Sequence, residues 1–553
     1  MKLIQETISE VCKSLFQTDV KVELTRPEEQ FGDYATNVAL QLAGKLGQKP
    51  RDIAEKLAAE LKQRLKDTVS EVSVAGPGFI NLRLSDKTLR HAMGQRSAQL
   101  LKNQEILVEY GDPNPFKEMH IGHLYTAIVG DAICNLLEVS GAAVRRVSYH
   151  GDVGMHVAKA IWALLKELKA HGKEGMADFA TIFKASLGVY YAQGAKAFEE
   201  DAQAAEEIKA INVHIYQKDD ETIERLHQWG TERSFGYFDQ IFNELGIHYE
   251  EKGRYLESAA TELGTQYVKD SIGKVFEESD GAIIFRGEKV GLHTRVFINS
   301  RGLPTYEAKD LGLAELKHRD YPSATKSIII TAHEQAEYFK VMLAALREID
   351  AALANKTMHL SHGFLTLTTG KMSSRTGDVY SAVSLMTDVK QAAKNAYPES
   401  DIQDQVYKAA LKYAFLKNRI GGDIVFDIQE SIGLEGNSGP YIQYAHARAR
   451  SILAKAKSLL PGAPDSQFES DERSLARKIS EYPEIVQQAV NDLMPHHIAI
   501  YLYELAQIFN RFYERSRVIG DPRETVRLGL VTAYADTLKD GLTLLGIAAP
   551  DKM

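Results

Sequence analysis

The stretch from 105 to 154, "EILVEYGDPNPFKEMHIGHLYTAIVGDAICNLLEVSGAAVRRVSYHGDVG", constrains the fold more than any other part of the chain. Its apolar start predicts a buried strand. After a Pro-Asn-Pro turn, Leu124, Ile128, Ala132, Leu136 and Leu137 recur on one helical face until Ser140-Gly141 stops the pattern, and "AAVRRVSYHGDVG" reads as another strand. Strand, long helix, strand is the βαβ unit of a parallel sheet. Such sheets bind ligands at the carboxyl ends of their strands, which is where the Pro-Asn-Pro turn and the first histidine fall.

Two readings of that turn compete. In the first, a glycine-containing helix start merely carries polar residues. In the second it handles phosphate: a helix N-terminus offers unpaired N–H groups and a positive dipole end, Gly122 lacks a Cβ that would hold a flat base away, and His120 and His123 can donate to a charged phosphate. With 17 His and 40 Gly in 553 residues, a His-x-Gly-His string is expected only about 0.04 times by chance. A second segment, "TLTTGKMSSRTGDV" from Thr366, is a Gly-flanked loop bearing Lys371, Ser373, Ser374 and Arg375, the composition of a phosphate clamp. Alone it reads as a solvated loop; following a sheet strand and paired with the histidine motif, it favours the phosphate reading.

A chain of 553 residues is too long for one core, so roughly three or four domains are expected. With 44% hydrophobic and 25% charged residues it has the composition of a soluble globular protein. No apolar run approaches the roughly 20 residues of a membrane helix, and the acid-containing N-terminus fits neither a secretory signal nor a transit peptide, so a cytoplasmic location is expected. A net charge of −9 argues against indiscriminate nucleic-acid binding while leaving room for local basic faces. Cys12 and Cys134, each inside an apolar helical pattern, are expected to be structural thiols.

Residues 1–100 combine a helix over "RDIAEKLAAELKQRLKD" with two strands around Gly76-Pro77-Gly78. Charged amphipathic helix dominates about 165–290, sheet-like segments return with "RVFINS", "SIIITAHEQ" and "HLSHGFLTLTTG", and from about 385 onward nearly everything has helical period.

"HIGH" at 120–123 and "KMSSR" at 371–375 resemble the two signature motifs of class I aminoacyl-tRNA synthetases, and the surrounding words resemble the arginyl-tRNA synthetase family. "VEYGDPNPFKEMHIGHL" is similar to its Glu-x-x-Ser-Pro-Asn-Pro-x-Lys-x-x-His-x-Gly-His segment, "SYHGDVGMHVA" to its His-x-Gly-Asp-Trp-Gly segment, and "GLPTYEAKDLGLA" to a substrate strand-and-helix. "NSGPYIQYAHARARSIL", "YLYELAQIFNRFYERSRV" and "LLGIAAPDKM" resemble its anticodon-binding domain; "FGDYATNVALQLA" and "GPGFINLRL" resemble its N-terminal domain. The resemblance implies a multidomain α/β protein. Its parts would be a small α+β tRNA-contacting domain (1–100), a parallel-sheet, Rossmann-like (HUP-type) catalytic domain (104–380) with a helical insertion about 165–290, a helical connection (381–435), and an all-α anticodon-binding domain (436–553).

The implied reaction joins L-arginine to ATP as an adenylate and transfers it to tRNA(Arg), with ATP as substrate, Mg²⁺ as helper ion, no protein-held metal, no membrane partner and a monomeric chain. Lys117, His120, His123, Lys371, Ser373 and Arg375 would act on the phosphates, with Pro115, Gly122 and Met372 also against ATP. A guanidinium is planar, permanently charged and rich in donors, so its pocket needs carboxylates and fixed acceptors. By the resemblance Asp310 meets it and Tyr306 lines the pocket, while Glu109, Asn114, His150, Asp152 and Gln335 share the rest of the arginine; if helical, Tyr306 and Asp310 share a face.

For tRNA, the basic Arg448, Arg450, Arg511, Arg515 and Arg517, with Lys455 and Lys457, are candidates in the C-terminal region. Among the interleaved aromatics Phe509, Phe512 and Tyr513, helical spacing favours core over stacking. In the N-terminal domain Phe31, Tyr34, Asn37, Phe79 and Asn81 are candidates by resemblance. Three departures stand out: Gly111-Asp112 where the family commonly has Ser, Val153 for its Trp, and Ser374 where many class I enzymes have a second lysine, whose part Lys117 would take. Two rivals remain, a nucleotidyltransferase sharing the histidine motif and a catalytically silent tRNA-binding paralogue. The former has no helical RNA-binding domain, and the latter has no reason to keep both phosphate and guanidinium groups.

Overall fold

The computed structural model describes residues 1–171, 179–368, 380–398, 402–456 and 466–553. At the front, α1 (Lys2–Phe16), β1 (Tyr34–Thr36), α2 (Val38–Leu46), α3 (Pro50–Arg64), β2 (Val69–Ala75), β3 (Phe79–Leu84) and α4 (Asp86–Met93) form a small α+β unit. Its antiparallel sheet runs β1-β3-β2. The stripe read from sequence is its core: Ile53, Leu57 and Leu61 of α3 are buried with Ile80 and Leu82 of β3.

The central sheet is parallel. It is built from β4 (Glu105–Glu109), α5 (Ile121–Val139) and β5 (Ala143–His150), the expected βαβ unit. The chain then makes α6 (Met155–Ala170), α7 (Phe179–Ile182), α8 (Leu187–Glu200), α9 (Ala202–Gln217) and α10 (Glu221–Glu244) before returning as β6 (Arg254–Leu256) and α11 (Glu257–Asp270). A three-stranded antiparallel sheet, β7 (Glu277–Ser279), β8 (Ala282–Phe285) and β9 (Arg295–Ile298), precedes α12 (Tyr306–Asp320), β10 (Ala324–Ala332), α13 (Ala336–Ile349), α14 (Ala351–Lys356) and β11 (Thr357–His362). The strand order is β11-β10-β4-β5-β6. From β4 the chain winds one way through β5, and β10 and β11 lie on the other side. The switch point is therefore the gap between the carboxyl ends of β4 and β10, where ligands settle in such sheets.

Two expectations need correcting. The span about 165–290 is not purely helical: β6 joins the main sheet and β7 and β8 belong to the small one, because strands of three or four residues are too short to show a period. The helical character beyond 385 is interrupted by β13 (Ile424–Phe426), which pairs in parallel with β12 (Leu365–Leu367).

Around β13 lie α15 (Ala382–Ala396), α16 (Gln403–Leu416) and α17 (Ile428–Ser431), followed by α18 (Gly439–Lys455), α19 (Ser470–Ser480), α20 (Tyr482–Asp492), α21 (His496–Arg515) and α22 (Glu524–Leu544). These helices share one buried core with α5 and β4, so the C-terminal bundle is packed directly onto the catalytic sheet. Arg473 of α19 bridges Asp33 and Asp86, each at 2.6 Å, and Arg26 reaches Glu484 of α20 at 2.9 Å, which docks the N-terminal unit on the same bundle. Both cysteines are buried and unpaired.

Candidate active site

The phosphate end is built by local sequence. His120 caps α5: its Nδ1 accepts from the N–H groups of Gly122 at 3.1 Å and His123 at 3.3 Å, while His123 Nδ1 accepts from the His120 N–H at 3.4 Å. A ring nitrogen that accepts leaves the proton on the other one, so both histidines carry Nε2–H donors. Their rings stack 3.6 Å apart. Burial, with Lys117 and His362 adding to it, pushes His120 down to about 4, and burial together with His120 and Lys117 holds His123 well below the usual histidine range. The pair is therefore neutral at pH 7, which is why the rings can stack. A Cβ on Gly122 would lie 2.9 Å from His120 Cε1, so glycine keeps the ring seated. Lys117, lowered by burial and by Lys159, lies over the Tyr191 ring of α8 at 4.9 Å. The segment carrying Lys371, Met372, Ser373, Ser374 and Arg375 lies outside the described residues. The chain re-enters at Tyr380 beside the motif, where Ile121 N–H donates to Tyr380 O and Ala382 N–H to Met119 O.

The other end is acidic. Asp310, in the first turns of α12, accepts from the Tyr338 hydroxyl of α13. Burial, reinforced by Glu109 and opposed by the Tyr338 hydrogen bond and Lys317, pushes it up to about 7. Glu109, the last residue of β4, is buried and bonded to Lys317 Nζ at 2.6 Å. Asp112 adds another carboxylate. Its backbone has φ 34, its Oδ1 accepts from Tyr149 N–H at 2.8 Å, and burial and Glu109 hold it well above the usual range. Gly111 before it has φ 87, and a Cβ there would meet the Tyr249 hydroxyl at 2.4 Å.

Between the ends, Gly151 N–H donates to Asn114 Oδ1 at 3.1 Å, and Glu257 pairs with Lys309, which also reaches Tyr216 Oη at 3.2 Å. His156, bonded to Gly151 O at 2.8 Å, is pushed down to about 4 by burial and then by the charges of Lys117 and Lys309. His156, Gly151 and Asn114 are thus bonded in a row, and a Cβ on Gly151 would lie 3.1 Å from Glu257, the partner of Lys309, so these groups stand side by side between the two ends.

The family model described as "tRNA synthetases class I (R), catalytic domain" matches residues 86–427; "Arginyl tRNA synthetase N terminal domain" matches 2–84 and "DALR anticodon binding domain" 442–553. A curated arginine--tRNA ligase of Shewanella amazonensis is 30% identical over 590 residues, covering 100% of both chains. This chain belongs to the arginyl-tRNA synthetase family. The solved arginyl-tRNA synthetase of Thermus thermophilus superposes with a TM-score of 0.83 at 27% identity, covering 100% of both chains. That of Plasmodium falciparum, at 23% identity and a TM-score of 0.81, covers 100% of this chain and 99% of its own and shares the fold.

Against the arginyl-tRNA synthetase pattern, the structure separates the expected arginine contacts into two groups. Asp310, Asn114 and Tyr306 border the cleft, Tyr306 being 64% exposed at its mouth, and Gln335 is exposed just beyond β10. His150, Asp152 and Glu109 are each engaged by partners within the protein. His150 is buried with Nδ1 against Pro113 O at 2.8 Å and Nε2 against Ser148 Oγ at 2.9 Å. Asp152 receives Ser258 N–H at 2.9 Å and Ser258 Oγ–H at 2.6 Å, tethering the start of α11. Glu109 is spoken for by Lys317. The strand pleat explains the first: neighbours on β5 point to opposite faces, and Tyr149, not His150, shares the acidic side. In the family's His-x-Gly-Asp pattern the histidine stands two places before glycine, which is position 149 here, so the spacing carried a signal for this shift. Lys317 and His156 had no such signal. Asp112 adds charge beside Asp310 rather than beside the phosphates, and Val153 is buried with Phe116 and Val157 in the core of the helical insertion.

Of the tRNA candidates, Phe31 and Phe79 (49% and 41% exposed), Asn37, Arg511, Arg515 and Arg517 are at the surface. Tyr34 and Asn81 are corrections: both are buried, Tyr34 bonding Glu484 between domains and Asn81 lying in the central strand β3. Arg448 lies over the Tyr513 ring at 4.5 Å and Arg450 pairs with Asp551 at 3.0 Å. Phe509 and Phe512 are core; Lys455 is exposed, and Lys457 lies outside the described residues. Among the described residues no helix is long and apolar enough to cross a membrane.

Proposed function

We propose that this cleft activates L-arginine with ATP and passes it to tRNA(Arg), with the following division of labour. The guanidinium enters the acidic end against Asp310, with Tyr306 closing the mouth and Gln335 taking the α-amino group. Because the Asn114 oxygen is engaged by Gly151, its amide donors are left for the arginine carboxylate. That carboxylate attacks the ATP α-phosphate in line and pyrophosphate leaves. The Nε2–H groups of His120 and His123, with Lys117, donate to oxygens whose negative charge grows in the transition state; neutral donors fixed by backbone caps need no reorganisation at that moment. Lys371, Ser373 and Arg375 would clamp the departing phosphates, with Pro115, Gly122 and Met372 against the nucleotide. Mg²⁺ would enter on the triphosphate and neutralise its charge. The terminal ribose hydroxyl of tRNA then attacks the adenylate carbonyl and AMP leaves.

The observation that supports this reading is the row of hydrogen bonds from His156 through Gly151 to Asn114, which lies between the histidine cap and the acidic groups. Exposed Phe31, Asn37 and Phe79 of the N-terminal unit and Arg448, Arg511, Arg515 and Arg517 of the C-terminal helices are proposed contacts for the tRNA. A cytoplasmic monomer is the setting this chemistry suits, and the domain limits drawn from sequence are retained as proposals. ATP–pyrophosphate exchange driven by arginine, measured with and without tRNA, tests the whole: exchange with arginine alone among the amino acids, and dependent on tRNA, is expected, whereas exchange with no amino acid or no exchange at all refutes it.

A further inference from the structure

We infer that the Tyr149 hydroxyl is a specificity-determining contact for the guanidinium of the substrate, an inference that rests on the arginine reading of the cleft. Tyr149 is the penultimate residue of β5, registered opposite Tyr255 of β6. Its backbone N–H is held by Asp112. Its ring packs against the cluster of Val147, Tyr255, Ala260 and Leu313, and Leu313 lies one helical turn beyond Asp310 on α12. The ring is thereby fixed while its hydroxyl oxygen is buried without a hydrogen-bond partner.

The neighbouring tyrosines differ. Tyr338 donates to Asp310, Tyr249 to Tyr110 O at 3.0 Å, and Tyr255 to Asp320 at 2.8 Å. A buried hydroxyl left unmade costs stability, and such exceptions mark places where a ligand or water supplies the partner. The charges around it select between cation and anion. Burial first, and then the negative charges of Asp310, Glu257, Glu109 and Asp152, raise the hydroxyl well above the usual tyrosine range and keep it protonated. A neutral hydroxyl accepts from a guanidinium N–H through its lone pairs, which an anion could not offer it. Lysine's ammonium, a compact point charge, does not supply the planar set of donors that would engage Asp310 and this oxygen together.

Tyr149→Phe keeps the ring and removes only the oxygen. In ATP–pyrophosphate exchange with tRNA present, the KM for arginine is expected to rise about tenfold, the loss of one hydrogen bond to a charged group, with kcat and the KM for ATP unchanged within about twofold. Agmatine, which keeps the guanidinium and lacks the carboxylate, is expected to lose affinity as an inhibitor by the same factor. The melting temperature of the free protein is expected to stay or rise, since an unmade bond has been removed. An unchanged arginine KM and agmatine Ki would overturn the inference and leave the hydroxyl to an ordered water; a lowered melting temperature would overturn it in favour of a structural role. Absence of arginine-dependent exchange in the unaltered protein would instead refute the arginine reading itself, a distinguishable result.

Discussion

The two ends of the cleft handle charge in opposite ways. At the phosphate end the histidine donors are neutral, their proton placed by the cap of α5, with Lys117 the cation beside them. At the guanidinium end carboxylates are buried: Glu109 with Lys317, Glu257 with Lys309, and Asp112 and Asp310, which have no ion-pair partner among the described residues and are raised by desolvation. Developing charge on a phosphate calls for donors that need not be desolvated in advance. A permanently charged ligand calls for a site that waits in deficit and is completed by it.

The sharpest way to break this contrast is Asp310→Ala. Loss of the buried partner for a guanidinium is expected to cost about 3–5 kcal/mol, or roughly 150- to 5000-fold in the arginine KM, with tRNA affinity intact. Equal arginine affinity would remove Asp310 from the pocket. Lys117→Ala is expected to act at the other end only, slowing single-turnover adenylate formation about 10²-fold with arginine binding little altered. An unchanged single-turnover rate would strike Lys117 from the phosphate set.

The ends should also part company with pH. Asp310, pushed up to about 7 by burial with Glu109 adding, must be ionised to receive a cation, so the arginine KM is expected to rise up to about tenfold per pH unit below 7 and to level off above it. The sign for stability is opposite. A carboxyl raised in the folded state holds a proton the unfolded chain does not, so its contribution to the stability of the free protein is present at low pH and lost as pH rises through 7. Arginine replaces that proton, and its stabilising shift in melting temperature should be larger at pH 8 than at pH 5.5; equal shifts would place the titration elsewhere. His120, already neutral down to about 4, should leave the ATP KM flat over the same range. The smallest effect is expected far from both ends, where Arg511→Ala on exposed α21 should weaken tRNA binding about threefold and lower its salt dependence by close to one ion. An unaltered salt slope would take Arg511 off the RNA path.

The contrast also separates what could be read from the chain. The phosphate end lies within seven residues, Lys117 to His123, and a helix start with i, i+3 side chains is legible as a pattern. The guanidinium end draws Glu109, Asp112, Tyr149, Asp310, Lys317 and Tyr338 from more than 200 positions of chain. Asp310 was reachable through resemblance alone. Lys317 was not, because a helical lysine two turns beyond Asp310 looks like any solvated charge until α12 is laid against β4. His150 and Tyr149 differ in their spacing to Gly151, a signal that the face of β5 packed on α12 makes plain, and Tyr34 and Asn81 became interior once β3 took the central place in its sheet and α20 covered Tyr34.

Local periodicity and short motifs, by themselves, settled the βαβ unit, the histidine cap, the amphipathic helices of the front domain and the aromatic core of α21, since each depends on contacts within a turn or a pleat. Which carboxylates are free and which are already paired was decided only in three dimensions. Desolvation and pairing depend on which elements pack together, and that is a property of the sheet order β11-β10-β4-β5-β6 and of the helices laid across it.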